Sequence, residues 1–324
     1  MLQEGNNEAG AMSSWIAAAT SYSTHGIQMI PFFIFYSMFG FQRIGDLMWQ
    51  AADTRMKGFV LGATAGRTAL NGEGLQHQDG HSHLLADCIP NCRAYDPTFS
   101  YEIAVIVQDG MRRMYENGED VFYYLTCENE NYAHPEMPAG CEEGIVRGLY
   151  LLGENKNKKA KHNVQLIGSG TILREVEAAA EILKDFGVAA NVWSATSINQ
   201  LQRDGASCER YNLLNPEAKE KVPYVTQQLA GHSGPVICST DYMKAYGEQL
   251  RPFIPARYVV LGTDGFGRSD TRAKLREHFE VDRNYVALAA LKALADDGAI
   301  EKSAVSKAMK KLGISADKAD PLFS

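Results

Sequence analysis

The sequence lacks any apolar stretch long enough to cross a bilayer. Its longest, Ile27 to Phe41, is broken by Pro31 and falls short of the roughly 20 residues a spanning helix needs. The opening MLQEGNNEAGAMSS has no basic segment followed by an apolar one, so no secretory signal is read and a cytoplasmic location away from membranes is expected. Positive charge is scarce. The 32 Lys and Arg residues against 39 Asp and Glu leave a net charge of -7, which argues against a general nucleic-acid binder because neutralising phosphates requires a basic face. The one basic cluster, NKNKKAKHN from Asn155 to Asn163, has no interleaved aromatics and reads as a solvated linker. Six cysteines (Cys88, Cys92, Cys127, Cys141, Cys208 and Cys238) follow no repeating spacing, so a reducing environment without a disulfide framework is expected. HExxH and paired CxxC motifs, internal repeats and low-complexity segments are all missing.

What is present fits a two-domain globular protein: 324 residues, 45% hydrophobic and 22% charged. Asn7 can cap a helix that begins at Glu8 and runs toward Gly26. Apolar runs at Met29–Tyr36 and Gly58–Ala63, a shorter one at Arg93–Tyr95 and another at Val121–Thr126 read as strands. Helical stretches lie between them at Gln42–Arg55, Leu84–Pro90 and Ser100–Tyr115. The Met29–Tyr36 run is continuous, as expected of a strand covered on both faces. Glu128–Gly140, with two prolines, reads as irregular, and Glu142–Leu152 as a helix or turn. Strands then recur at Val164–Ile167, Ala190–Ser194, Pro235–Ser239 and Tyr258–Leu261. Helices are expected over Thr171–Phe186, Asp241–Leu250, Thr271–Phe279, Asp282–Asp296 and Ser303–Leu312. This alternation predicts an α/β protein of two domains, each a mainly parallel sheet flanked by helices.

Asn71 to His83, NGEGLQHQDGHSH, is the stretch least suited to a core. It sets Gly72 and Gly74 beside Glu73, then His77, His81 and His83 around Asp79 and Gly80. A polar loop at a strand end is where ligands sit in open α/β sheets. The three imidazoles could ligate zinc, but substrate contacts or backbone-bonded loop residues rank above that reading. Two other glycine-bearing turns imitate ligand sites. Gly168–Gly170 opens a helix like a dinucleotide fingerprint, but Leu173 fills the third glycine position and no acidic residue ends the strand near Ser194. In Thr263–Asp270, Asp264 and Asp270 would repel phosphate, and a turn before a helix explains the stretch as well. Glu8 precedes Ala9, Ala11, Met12, Trp15 and Ile16, so it reads either as a poorly solvated carboxylate or, more commonly, as an acid favoured at a helix N-terminus. Tyr36, Phe39 and Phe41 read first as core aromatics and second as a cofactor face.

The segments LQEGNNEAG, FFIFYSMFGFQRIGD, GRTALNGEGLQHQDGHSH, IPNCRAYDP and VLGTDGFGRSDTRAKLREHFEVD together resemble the homodimeric type of bacterial pyruvate dehydrogenase. That family is the thiamine-diphosphate-dependent decarboxylating component of the pyruvate dehydrogenase complex. The likeness covers essentially the whole chain, which looks like the last third or somewhat more of a family member. It implies a transketolase-like pyrimidine-binding domain, in part, over residues 1–137, a linker over 138–163, and a transketolase-type C-terminal domain over 164–324. Glu8 matches the glutamate that hydrogen-bonds the aminopyrimidine of thiamine diphosphate, and Phe39 the aromatic that packs on that ring. Tyr36 and His77 match polar residues facing the substrate-derived intermediate, where they could stabilise charge and shuttle protons. Asp79 and His83 stand at positions resembling active-site residues of the wider transketolase group.

The resemblance further implies pyruvate as substrate, the lipoyl domain of the dihydrolipoyl acetyltransferase component as partner, and a homodimer. Two departures stand out. Asn6 replaces a usual aliphatic residue, and no GDG followed some thirty residues on by Asn is present. The magnesium and diphosphate ligands would therefore lie in a missing N-terminal part, leaving half of the cofactor site here. The alternative is a non-catalytic dimerisation or complex-binding module of the same family, with a zinc hydrolase a distant third.

Overall fold

The computed structural model describes residues 1–155 and 160–324, so the centre of the Asn155–Asn163 cluster lies outside the described residues. The first unit runs α1 (Glu8–Ala19), α2 (Ser21–Thr24), β1 (Phe32–Tyr36), α3 (Gly40–Asp53), β2 (Phe59–Ala65), α4 (Ser82–Asp87), β3 (Cys92–Tyr95), α5 (Ser100–Met111) and β4 (Phe122–Glu128). Its strands make one parallel sheet in the order β1-β2-β4-β3, with Phe35 opposite Gly62 and Leu61 opposite Leu125. Asn7 caps α1 as expected, its Oδ1 accepting from the Gly10 amide at 3.0 Å. Met12 and Trp15 of α1 pack with Phe41, Ile44 and Met48 of α3, the helical spacing that places one apolar stripe toward the sheet.

β1 departs from the expectation of a strand covered on both faces. Phe33 and Phe35 point into the core, but Phe32, Ile34 and Tyr36 remain 51%, 63% and 43% exposed. β1 is the sheet's edge, and its outward residues stay substantially exposed.

The second unit continues through α6 (Glu142–Arg147), β5 (Tyr150–Gly153), β6 (His162–Gly168), α7 (Ile172–Lys184), β7 (Val188–Ser194), α8 (Ile198–Leu214) and α9 (Tyr224–Leu229). It closes with β8 (Val236–Ser239), α10 (Lys244–Glu248), β9 (Tyr258–Leu261), α11 (Arg272–His278), α12 (Arg283–Asp296) and α13 (Lys302–Lys311). The strand order is β5-β7-β6-β8-β9, parallel except for β5, which pairs antiparallel with β7. The stretch expected as a linker thus contains α6 and an edge strand of the second sheet. Residues 195–234, for which the sequence pattern suggested no element, hold α8 and α9.

The C-terminal ends of the two sheets face one another. Just past β3, the Asp96 amide donates to Thr196 O at 2.8 Å; beyond β2, Arg67 N donates to Asp241 O at 3.2 Å; and Met243 N donates to Gly80 O at 2.9 Å. Carboxyl ends of strands, where ligands collect in α/β proteins, therefore lie along the domain junction. β2 reaches it through a bulge between Ala63 and Ala65. There Thr64 holds φ at 61°, a strained value for a β-branched residue.

Candidate functional site

Tyr36 ends β1, and a 3-10 turn over Ser37–Phe39 carries the chain directly into α3. That turn is tight because Gly40 lies against the Phe35 ring, where a Cβ would come within 1.9 Å of a ring carbon. One helical turn on, Arg43 sets its guanidinium 4.1 Å from the centre of the Phe39 ring and its Nη1 3.0 Å from Glu8 Oε1. The Glu8 side chain is 23% exposed and paired with Arg43.

His77 closes a second 3-10 turn, Leu75–His77, in the polar loop. Its ring meets Phe39 edge-on at 5.1 Å and Tyr36 at 5.5 Å, while Tyr36 and Phe39 are 6.2 Å apart. His77 Nδ1 is buried and has no hydrogen-bond partner. Glu8, Arg43, Phe39, His77 and Tyr36 thus form one continuous chain of contacts at the C-terminal end of β1. Beside it opens a cleft of about 900 Å³ between the two units, walled by Met38, Phe41, Gln42, His81, Met243 and Phe266.

The other loop residues separate from this patch. His81 Nε2 lies 3.0 Å from Gln42 Oε1. Asp79 and His83 are wholly buried. His83 Nε2 is 3.0 Å from Thr126 Oγ1, and its ring stacks on Tyr246 at 5.0 Å. The three histidines therefore face three different environments, and among the described residues no group of three His, Cys, Asp or Glu is placed to hold a metal ion. The zinc reading falls with that geometry.

Sequence reasoning missed a group of buried carboxylates at the junction. Thr126 Oγ1 donates to Asp96 Oδ1 at 2.6 Å, as does the Tyr242 hydroxyl at 3.1 Å. Asp241 accepts from the amides of Thr68 and Ala69, each at 2.9 Å. Glu128 Oε2 accepts from the Thr171 amide at 2.5 Å, while its Oε1 and Asp96 Oδ2 are buried without partners. Burial pushes Asp96 up to about 7, raises Glu128 well above the usual carboxylate range and raises Asp241 as well. The same loss of solvent lowers His83 to about 4, so it sits there as neutral imidazole. These acids end or follow β3, β4 and β8, and the strand-end rule was the signal that could have found them. Arg43 carried a fainter one, lying four residues beyond Phe39 at the helical spacing that brings side chains together.

Two mostly parallel sheets meeting through their C-terminal edges define a transketolase-like α/β protein. The transketolase-like TK C-terminal domain family matches residues 148–282. Transketolase from Campylobacter jejuni superposes with a TM-score of 0.63 at 19% identity, over 86% of this chain and 38% of that one. A split-gene transketolase in an inactive beta4 tetramer superposes at 0.59 and 17% identity, over 87% of this chain and 81% of its own. At such identities the likeness concerns the fold alone. The sequence is more specific: residues 1–135 match the pyruvate dehydrogenase E1 component middle domain. The Pseudomonas aeruginosa pyruvate dehydrogenase E1 component is 64% identical over 99% of this chain and 37% of its own length. Over nearly its whole length the chain is homologous to a C-terminal part of pyruvate dehydrogenase E1 components, and it spans a little over a third of the length of the curated relatives it matches.

Proposed function

We propose that this chain supplies the pyrimidine-facing half of a thiamine-diphosphate site for oxidative decarboxylation of pyruvate, with the acetyl unit passing to a lipoyl group of the dihydrolipoyl acetyltransferase component. The observation carrying this reading is the unbroken line Glu8–Arg43–Phe39–His77–Tyr36, which gathers a carboxylate, an aromatic face, an imidazole and a phenol from distant parts of the sequence. Those groups fit the cofactor's aminopyrimidine and the bond-breaking end beside it.

When bound, the coenzyme supplies the electron sink that a 2-oxo acid needs to lose carbon dioxide. Glu8 would accept a hydrogen bond from a ring nitrogen, with Arg43 fixing the carboxylate's direction. Phe39 would pack on the ring. Tyr36 and His77 would hold and move protons at the substrate oxygen. The diphosphate and its magnesium would be held by the family segment this chain does not span, with two such polypeptides completing the site in a homodimer. No described helix is long and apolar enough to cross a membrane, and a cytoplasmic home remains part of this proposal.

The test is reconstitution. The purified chain with thiamine diphosphate, magnesium and pyruvate should release no carbon dioxide; adding the remaining portion of a family member should restore release. Full turnover by the chain alone would overturn the half-site reading. Continued silence with both parts folded would favour a non-catalytic binding module. In the reconstituted enzyme, His77→Ala should lower turnover by about 10²-fold, the scale of a lost acid–base group.

A further inference from the structure

Asp79 sits two residues beyond His77, yet no part of it reaches solvent. Its Oδ1 accepts from the amides of His81 and Ser82, both at 2.9 Å. Its Oδ2 accepts from the hydroxyls of Ser37 and Ser82. Four donors from two chain segments thus occupy both oxygens, leaving no lone pair for a ligand. Ser37 is the residue between Tyr36 and the rest of the turn that presents Phe39. It is itself buried, and its hydroxyl lies 3.3 Å from the Tyr124 hydroxyl, which donates to Ser82 Oγ at 2.9 Å. Room for this knot comes from Gly62 of β2, where a Cβ would fall 2.5 Å from the Tyr124 hydroxyl and 3.1 Å from Ser37 Cβ.

We propose that Asp79 is a positioning residue: its buried carboxylate ties the turn bearing Tyr36 and Phe39 to the loop bearing His77, and so fixes how these groups face one another. A carboxylate suits this task because all four partners are donors. Asparagine is nearly isosteric, but its amide end would meet donors with another donor. The kinetic arm of the test rests on the reading of function given above; the structural arm does not.

The experiment compares Asp79→Asn, Ser37→Ala and Ser82→Ala. Amide hydrogen exchange on the chain should rise at least about tenfold in residues 36–41 and 74–78 together for Asp79→Asn. For Ser37→Ala it should rise mainly in 36–41, and for Ser82→Ala only in 80–87. In the reconstituted enzyme, Asp79→Asn and Ser37→Ala should each reduce kcat by about 10²-fold, the cost of a misplaced group, with KM for pyruvate little changed. The double variant should be no slower than the slower single one, because both break the same tie. Unchanged exchange in the two segments of Asp79→Asn would overturn the proposal. So would loss of kcat in Asp79→Asn with full kcat in Ser37→Ala, which would make Asp79 a direct substrate contact. Should Asp79→Asn fail to fold, exchange in Ser37→Ala decides: protection lost in 36–41 supports the tie, and protection kept refutes it. If unsubstituted enzyme shows no pyruvate turnover, the functional reading fails while the exchange result still judges Asp79.

Discussion

His83 and Asp96 answer pH in opposite directions. Their facing atoms are 4.0 Å apart in a site sealed from water, with Thr126 and Tyr242 also bonded to Asp96. The unfolded imidazole takes its proton near 6.5 and the folded one only near 4, so this contribution is present above 6.5 and is lost as pH falls. The Asp96 carboxyl binds its proton more tightly in the folded chain, about 7 against 3.8, so its contribution is present at low pH and is lost as pH rises through that range. In unsubstituted protein the two slopes oppose one another between about 4 and 6.5. Asp96→Asn should leave the imidazole slope alone, and urea midpoints at several pH values should climb with pH more steeply than in the parent; a parallel profile would contradict this. Arg43 bears on geometry more than stability. Its pair with Glu8 is partly exposed, so Arg43→Met should cost less than about 1 kcal/mol by urea unfolding while still slowing the reconstituted enzyme. Glu8, Tyr36, Phe39 and His77 stood out from the residues themselves, but their particular roles came only from the family resemblance. Burial of Asp79 and His83 could not be read, because a polar loop gives no sign of which side chains turn inward.

Elements with a strong period were legible, and those held by tertiary packing were not. α3 and α7 follow their apolar stripes, and β2, β4, β6 and β7 appear close to their expected positions. α8 escaped because INQLQRDGASCERYNLL carries few apolar residues and a glycine midway. That glycine, Gly205, exists to admit the Phe253 ring, which a Cβ would meet at 2.5 Å. β5 escaped because four residues against a single neighbour leave little pattern to recognise. Gly40 shows what such packing demands at the site. The Phe35 ring fills the space a side chain would need there. Gly40→Ala should therefore destabilise by roughly 1–3 kcal/mol through overpacking on Phe35, measured by urea unfolding, despite alanine's better helix propensity.

Across the whole molecule, the two-sheet plan was legible from alternation, but the junction was not, since nothing in the pattern says which strand ends will meet. That junction places Asp96 and Glu128 of one unit against Gly170 of the other, and Asp241 against Gly66. Neither glycine could carry a side chain without striking carboxylate oxygens. With Glu128 disposed to keep its proton while the unfolded carboxyl ionises above about 4.5, its contribution is lost as pH rises from there, so Glu128→Gln should change the melting temperature little near pH 4 and raise it increasingly toward neutral pH; a marked loss at neutral pH would mean the group is ionised there.

The outward side of β1 has a practical consequence. Three bulky apolar residues beside an unpaired strand edge form a template for sticking to other strands. Handled alone and concentrated, this polypeptide should cloud or form soluble aggregates before it unfolds. Lysine in place of Ile34 should raise the concentration at which light scattering begins, and the natural remedy would be company on that edge.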